Sequence, residues 1–154
     1  MTHLKEGDKA PDFSGIDTNG SKISLSDFKG KKLILYFYPK DDTSGCTKEA
    51  CNFRDSIKEI KNLGAEILGV SNDTIESHQK FTKKYLLPFS LIADVEKKIV
   101  QAYGVYGEKR FMDNKYMGIT RSTFIIDEKG IIKKIFYKVK VDGHLEEVAE
   151  TLKI

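Results

Sequence analysis

The pattern of apolar and polar positions predicts a buried strand in the first quarter of the chain. Lys32–Tyr38 is almost continuously apolar, and Pro39 stops the run. A short apolar run that ends at a proline is typical of a central strand covered on both faces. We therefore expect the core of the fold to be built around this segment.

An amphipathic helix is predicted directly after this strand. Apolar residues recur at steps of four, three, four and three, at Cys46, Ala50, Phe53, Ile57 and Ile60. This spacing puts them on one stripe of a helix that begins at or just before the first of them. A glycine at position 64 is expected to end the helix as a C-terminal cap.

The rest of the chain alternates between strand and helix patterns. The turn sequence Asn19-Gly20 between Asp12–Ile16 and Lys22–Leu25 predicts an N-terminal β-hairpin. Further strands are expected at Ala65–Ser71, Phe89–Ala93, Ser122–Asp127 and Ile131–Tyr137, the last two being antiparallel, and helices at Ile75–Tyr85, Val95–Tyr103 and His144–Lys153. Arg110–Gly118 has no clear period and is expected to be a loop. This order predicts an α/β fold with a mixed central sheet, organised as one domain over residues 1–154.

Composition excludes several classes of function. The 26 basic and 23 acidic residues are interleaved, so no basic stripe suggests nucleic-acid binding. No apolar run approaches the roughly 20 residues needed to span a bilayer, and the N-terminus has no apolar signal segment, so we expect no membrane association and a cytoplasmic location. Two cysteines and three scattered histidines lack paired ligand spacing, and no metal or other cofactor is expected.

Cys46 is the first candidate for chemistry, because it lies where a helix begins. A free thiol has a pKa near 8.5, so only about 3% is thiolate at pH 7, and the unpaired amides and dipole of a helix start favour the thiolate. Thr43 can supply a hydroxyl, whereas no histidine nearby can serve as a base for acyl transfer. A small core residue preceded by an N-cap threonine explains the same pattern, and the spacing alone leaves both interpretations open.

Cys51 adds a geometric constraint. Residues five apart on a helix have Cα atoms about 8–9 Å apart, whereas a disulfide needs about 4.4–6.8 Å. If Cys46 and Cys51 do bond, the first turns of the helix must unwind.

Four separated motifs stand out along the chain: Gly7–Phe13, the Pro-x-x-x-Thr-x-x-Cys pattern of Pro39–Cys46, its continuation Thr47–Cys51, and Gly118–Asp127 with its arginine. Together they resemble the peroxiredoxin family, and especially its bacterioferritin comigratory protein or PrxQ branch. The resemblance covers nearly the whole chain. It implies a thioredoxin-like fold with an N-terminal extension and a peroxide as substrate.

The resemblance also implies roles for individual residues. Cys46 would be the peroxidatic cysteine that becomes a sulfenic acid, and Cys51 the resolving cysteine that closes a disulfide within the chain. Thr43 would hydrogen-bond the sulfur and the peroxide, and Pro39 would shield the pocket from water. Arg121 would be the cation beside the sulfur, since Lys40 and Lys48 are expected on the loop and on the far side of the helix.

Three further points follow from the sequence and the resemblance. Glu49 could orient Arg121 by ion pairing or act as a helix-stabilising acid in the first turn. The resemblance implies thioredoxin or a glutaredoxin-like protein as reductant, and we expect a monomer, with a dimer as the alternative.

Two other functions compete with this interpretation. One is a thioredoxin-type oxidoreductase, disfavoured because that class uses Cys-x-x-Cys. The other is a binding or chaperone module in which both cysteines are incidental.

Overall fold

The computed structural model describes residues 2–153. Along this part of the chain the strands are β1 (Ser14–Ile16), β2 (Lys22–Ser24), β3 (Lys32–Phe37), β4 (Ala65–Ser71), β5 (Ser90–Ala93), β6 (Tyr106–Phe111), β7 (Asn114–Ile119), β8 (Ser122–Ile126) and β9 (Ile132–Tyr137). The helices are α1 (Ser44–Asp55), α2 (Ile57–Asn62), α3 (Ile75–Tyr85), α4 (Lys98–Ala102) and α5 (His144–Leu152), with a short 3₁₀ helix at Leu25–Phe28. None of these helices is both long and apolar enough to cross a membrane.

Five strands form a mixed central sheet in the order β5-β4-β3-β8-β9. Strand β3 is parallel to β4, and β4 to β5, whereas β8 runs antiparallel to both β3 and β9. Strands β1 and β2 form the predicted N-terminal hairpin. The α/β class, the mixed sheet and the N-terminal extension are therefore confirmed.

Strand β3 separates two hydrophobic cores because its side chains alternate between the faces of the sheet. Leu33, Leu35 and Phe37 belong to the core that includes α4 and the N-terminal segment. Ile34 and Tyr36 belong to the other core, to which α1, α3 and α5 contribute. The predicted apolar stripe of α1, including Cys46, lies in this second core.

Two predicted helices differ from the structure in length. The helix expected to run from Cys46 to Gly64 is interrupted at Ser56, where φ is −112° and ψ is 12°. Aspartate and serine, which occupy positions 55 and 56, are weak helix formers because their side chains compete for backbone hydrogen bonds. The helix expected at Val95–Tyr103 begins only at Lys98, since the Asp94 carboxylate accepts a hydrogen bond from the Val100 amide and residues 95–97 form a turn.

The expectation of a loop at Arg110–Gly118 is wrong. Strands β6 and β7 form an antiparallel ribbon from Tyr106 to Ile119, with Met112 in the left-handed region at the turn. Most side chains of the ribbon are exposed or half-buried on both faces, including Phe111 and Met117. A ribbon without a buried face needs no apolar alternation, so the pattern gave no strand signal.

Candidate active site

The candidate site lies where the chain leaves β3 and enters α1. Thr43 is the N-cap residue with an extended backbone, and the helix begins at Ser44. The Thr47 amide donates the first intrahelical bond, to the Thr43 carbonyl, at 2.8 Å. Cys46 therefore lies in the first turn, whose amide groups have no partners within the helix itself. Its side chain is buried, with a relative exposure of 2%.

Arg121 supplies a positive charge beside Cys46, whereas the nearby Lys48 binds Asp142 instead. Phe37 at the end of β3 pairs with Ser122 at the start of β8, which brings the preceding arginine to the start of α1. Arg121 Nη2 donates to Cys46 Sγ at 3.3 Å. Burial lowers the pKa of Arg121, but Glu49 and Cys46 outweigh this effect and raise it above its ordinary value. The guanidinium is thus a permanent cation in contact with the sulfur.

Glu49 holds the other end of this guanidinium. Its Oε1 accepts a hydrogen bond from Arg121 Nη1 at 2.6 Å, and its side chain is 2% exposed. Burial raises the pKa of Glu49 from 4.5 to about 7, and Arg121 opposes the rise. The planar fork of the arginine therefore bridges Glu49 and Cys46, an arrangement that a lysine cannot reproduce.

Cys51 lies on the same helix, half-buried, and both cysteines are free thiols. Helical geometry puts the two Cα atoms about 8–9 Å apart, beyond the range of a disulfide. The described conformation is thus the reduced one, and a bond between these two sulfurs would require α1 to unwind locally.

Comparison with known proteins identifies the family. The profile of the AhpC/TSA family matches residues 6–135. The chain belongs to this family. It is 50% identical over 150 residues to Peroxiredoxin Bcp of Bacillus subtilis, covering 97% of this chain and 96% of that protein.

Solved structures agree with this assignment. A cysteine-to-serine mutant of PrxQ from Xylella fastidiosa has a TM-score of 0.94 at 34% identity and covers 99% of this chain and 98% of its own. The Xanthomonas campestris bacterioferritin comigratory protein, described for its alkyl peroxide reduction activity, has a TM-score of 0.88 at 34% identity with 99% and 98% coverage. The resemblance to the peroxiredoxins and the thioredoxin-like fold are confirmed, and the chain is a thiol-dependent peroxidase.

Two residues of the peroxiredoxin motif lie in less decisive positions than Arg121. Pro39 follows β3 and is half-buried. Thr43 is exposed, and its hydroxyl donates to the Lys40 carbonyl at 2.9 Å; within residues 2–153 it makes no hydrogen bond to the sulfur. The roles of both residues stay predictions.

Sequence reasoning missed two groups beside the peroxiredoxin site. Lys109 on β6 donates from Nζ to the Ile119 carbonyl at 2.9 Å; burial and Arg121 lower its pKa, and Cys46 opposes this. The Tyr36 phenol is buried, and burial, followed by Glu49 and Cys46, raises its pKa well above the ordinary value. The apolar run predicted that Tyr36 is buried, whereas no signal in the sequence singled out Lys109.

Proposed function

We propose that this peroxiredoxin reduces hydrogen peroxide and organic hydroperoxides with Cys46 as the peroxidatic cysteine and Cys51 as the resolving cysteine. The observation that carries the proposal is the 3.3 Å contact between the Arg121 guanidinium and the buried Cys46 sulfur in the first turn of α1. Cation, helix dipole and free amides all favour a negatively charged sulfur. They also favour the charge that develops on peroxide oxygen during displacement.

The first step is attack of the Cys46 thiolate on the nearer peroxide oxygen. The O–O bond breaks, an S–O bond forms, and the departing oxygen takes up a proton to give water or an alcohol. Cys46 becomes a sulfenic acid, oxidised by two electrons. In this proposal Arg121 holds the thiolate and the peroxide oxygens, Glu49 orients Arg121, Thr43 contacts the peroxide, and Pro39 limits access of water.

The second step joins Cys46 to Cys51. The resolving thiol attacks the sulfenic sulfur, water leaves, and a disulfide forms within the chain. The distance between the cysteines on the intact helix requires the first turns of α1 to unwind before this bond closes. A dithiol protein then reduces the disulfide by exchange and is itself oxidised.

Thioredoxin is our proposed reductant, with a glutaredoxin-like protein as the alternative. Alkyl hydroperoxides are included as substrates because the similar Xanthomonas protein is described for alkyl peroxide reduction.

We further propose that the chain works as a monomeric single domain in the cytoplasm, where reducing systems regenerate its thiols. Sedimentation of the reduced and oxidised protein tests the monomer.

The decisive experiment is a coupled peroxidase assay that follows NADPH with thioredoxin and its reductase, repeated with glutaredoxin and glutathione. Cys46→Ser should show no turnover, and Cys51→Ser should complete one turnover and leave a sulfenic acid that dimedone traps. Arg121→Ala should be about a hundredfold slower, the typical loss on removing one donor to a developing charge. Arg110→Ala, an exposed arginine of β6, is the matched control and should behave as wild type.

One result would overturn the proposal, namely normal peroxide turnover by Cys46→Ser. Insulin reduction retained in that variant without peroxidase activity would instead favour a thioredoxin-type oxidoreductase.

A further inference from the structure

A buried polar network lies beside the loop that leads into α1 and has no part in the proposed chemistry. At its centre is Asp41, whose side chain is almost completely buried. Tyr38 Oη donates to Asp41 Oδ1 at 2.6 Å, and Ser77 Oγ donates to Oδ2 at 2.7 Å. His78 Nδ1 lies 2.6 Å from the same Oδ2.

His78 is held from both sides. Its side chain is fully buried in α3, and its Nε2 lies 3.0 Å from the Ile92 carbonyl oxygen of β5. The ring therefore bridges the Asp41 carboxyl group and the backbone of β5, and it joins the loop to α3 through a fully buried hydrogen bond. Such a bond is costly to break, because removing one partner leaves the other buried without that hydrogen bond.

The backbone of the same loop is also tied down. The Asp41 amide donates to Asp73 Oδ2 at 2.8 Å. Potential metal-ligand atoms of Asp41, Asp73 and His78 lie within 4.8 Å of one another, but they already engage each other and neighbouring donors. The cluster therefore serves as a set of ties rather than as a cation site.

The next residue extends the attachment to the far end of α3. Asp42, with φ of 58°, accepts hydrogen bonds from Lys84 Nζ at 2.8 Å and from Tyr85 Oη at 2.9 Å. Residues 41 and 42 are thus bound to both ends of one helix. The segment that must unwind begins immediately after them.

We propose that the Asp41–His78 pair is a latch that holds the loop before α1, keeps the helical Cys46 against Arg121, and fixes the point at which unwinding begins. This inference rests on the proposed roles of Cys46 and Cys51. Asp41 and His78 are positioning residues that touch neither sulfur nor peroxide. Weakening the latch favours the unwound state, so peroxide attack slows while disulfide formation accelerates.

The test separates these two steps by rapid quenching. Reduced protein is mixed with hydrogen peroxide, quenched with dimedone or an alkylating agent, and the Cys46 species are counted by mass spectrometry. In Asp41→Asn and His78→Gln we expect sulfenic acid to form about tenfold more slowly and to convert to disulfide about tenfold faster, the scale set by leaving a buried polar group without its partner. Asp94→Asn is the matched control, since it alters a buried aspartate whose side chain binds the Val100 amide of α4 rather than the loop before α1; both of its rates should match wild type.

The opposite direction of the two changes distinguishes a latch from general loss of stability. Two steps that slow together, or an equal response in Asp94→Asn, would overturn the latch while leaving the proposed reaction intact. Failure of the wild type to form a Cys46–Cys51 disulfide would overturn the proposed reaction and the latch with it. Should Asp41→Asn lose its helical circular dichroism, Ser77→Ala and Tyr85→Phe each remove one hydrogen bond to the loop and must show the same opposed shifts at smaller size.

Discussion

Replacing Glu49 with glutamine tests how much folding stability is lost when the buried carboxyl group that binds Arg121 becomes ionised. Burial raises the pKa of Glu49 from 4.5 to about 7, against the effect of Arg121. The folded protein therefore holds this proton more tightly than the unfolded chain does. The resulting stability is complete below about pH 4.5 and is lost as the pH rises through about 7. Since one pKa unit corresponds to about 1.4 kcal/mol, ionising Glu49 should remove about 3 kcal/mol of stability by pH 8.

The assay is urea unfolding at pH 5 and pH 8. Cys46→Ser is compared with Cys46→Ser/Glu49→Gln, so that neither protein carries the active-site thiol. We expect the free energy of unfolding of the glutamine variant, relative to its parent, to rise by about 2.5 kcal/mol between the two pH values. At a denaturant slope of about 2 kcal/mol/M this shifts the relative midpoint by about 1 M urea.

The substitution also breaks the Glu49–Arg121 pair, which has a cost that does not depend on pH. Comparing the difference in unfolding free energy at pH 5 and at pH 8 removes this constant cost from the result. Glu59→Gln alters an exposed glutamate of α2 and is the control, for which the difference from the parent should not depend on pH. A Glu49→Gln difference that stays constant from pH 5 to pH 8 would refute the reasoning, because the buried carboxyl would then titrate as it does in the unfolded chain.

Three further substitutions test the surroundings of the sulfur, each followed by stopped-flow reaction with hydrogen peroxide. Arg121→Lys keeps the charge but cannot bridge Glu49 and Cys46 as the fork does, so we expect a rate nearer to Arg121→Ala than to wild type. Gly45→Ala puts a Cβ 3.1 Å from Arg121 Nη2 and should slow the reaction about tenfold. Its control Gly107→Ala, where a Cβ meets nothing within 4 Å, should not. Lys109→Met should lower the rate about threefold, because one partly exposed charge typically contributes less than about 1 kcal/mol. An unchanged rate would show that Lys109 takes no part in the reaction.

Local pattern predicted most of the central elements. The apolar run at Lys32–Tyr38 became β3, and Ala65–Ser71 and Ile75–Tyr85 match β4 and α3 at both ends. These segments have one consistent period and clear boundaries. The ribbon of β6 and β7 has no buried face, so its sequence shows no apolar periodicity from which strands could be predicted.

The site was predictable only in part. The position of Cys46 at a helix start follows from the spacing of the apolar stripe. The contact with Arg121 depends on the pairing of β3 with β8, which spacing along the chain does not encode, and it came from the family resemblance. The link between Asp41 and His78 joins a loop to a helix by side chains alone. The one available signal was that His78 shares the buried face of α3 with Phe81.

Phe53 sets a limit on how far catalysis can disturb the fold. Its ring, two residues beyond Cys51, is 1% exposed and lies 4.9 Å from Tyr36 of the central sheet and 6.4 Å from His144 of α5. If α1 unwound from its start past Cys51, this ring would have to leave the aromatic core and become exposed. In the proposed reaction, unwinding is thus confined to about the first two turns of α1, and the aromatic core beyond them keeps its packing through each cycle.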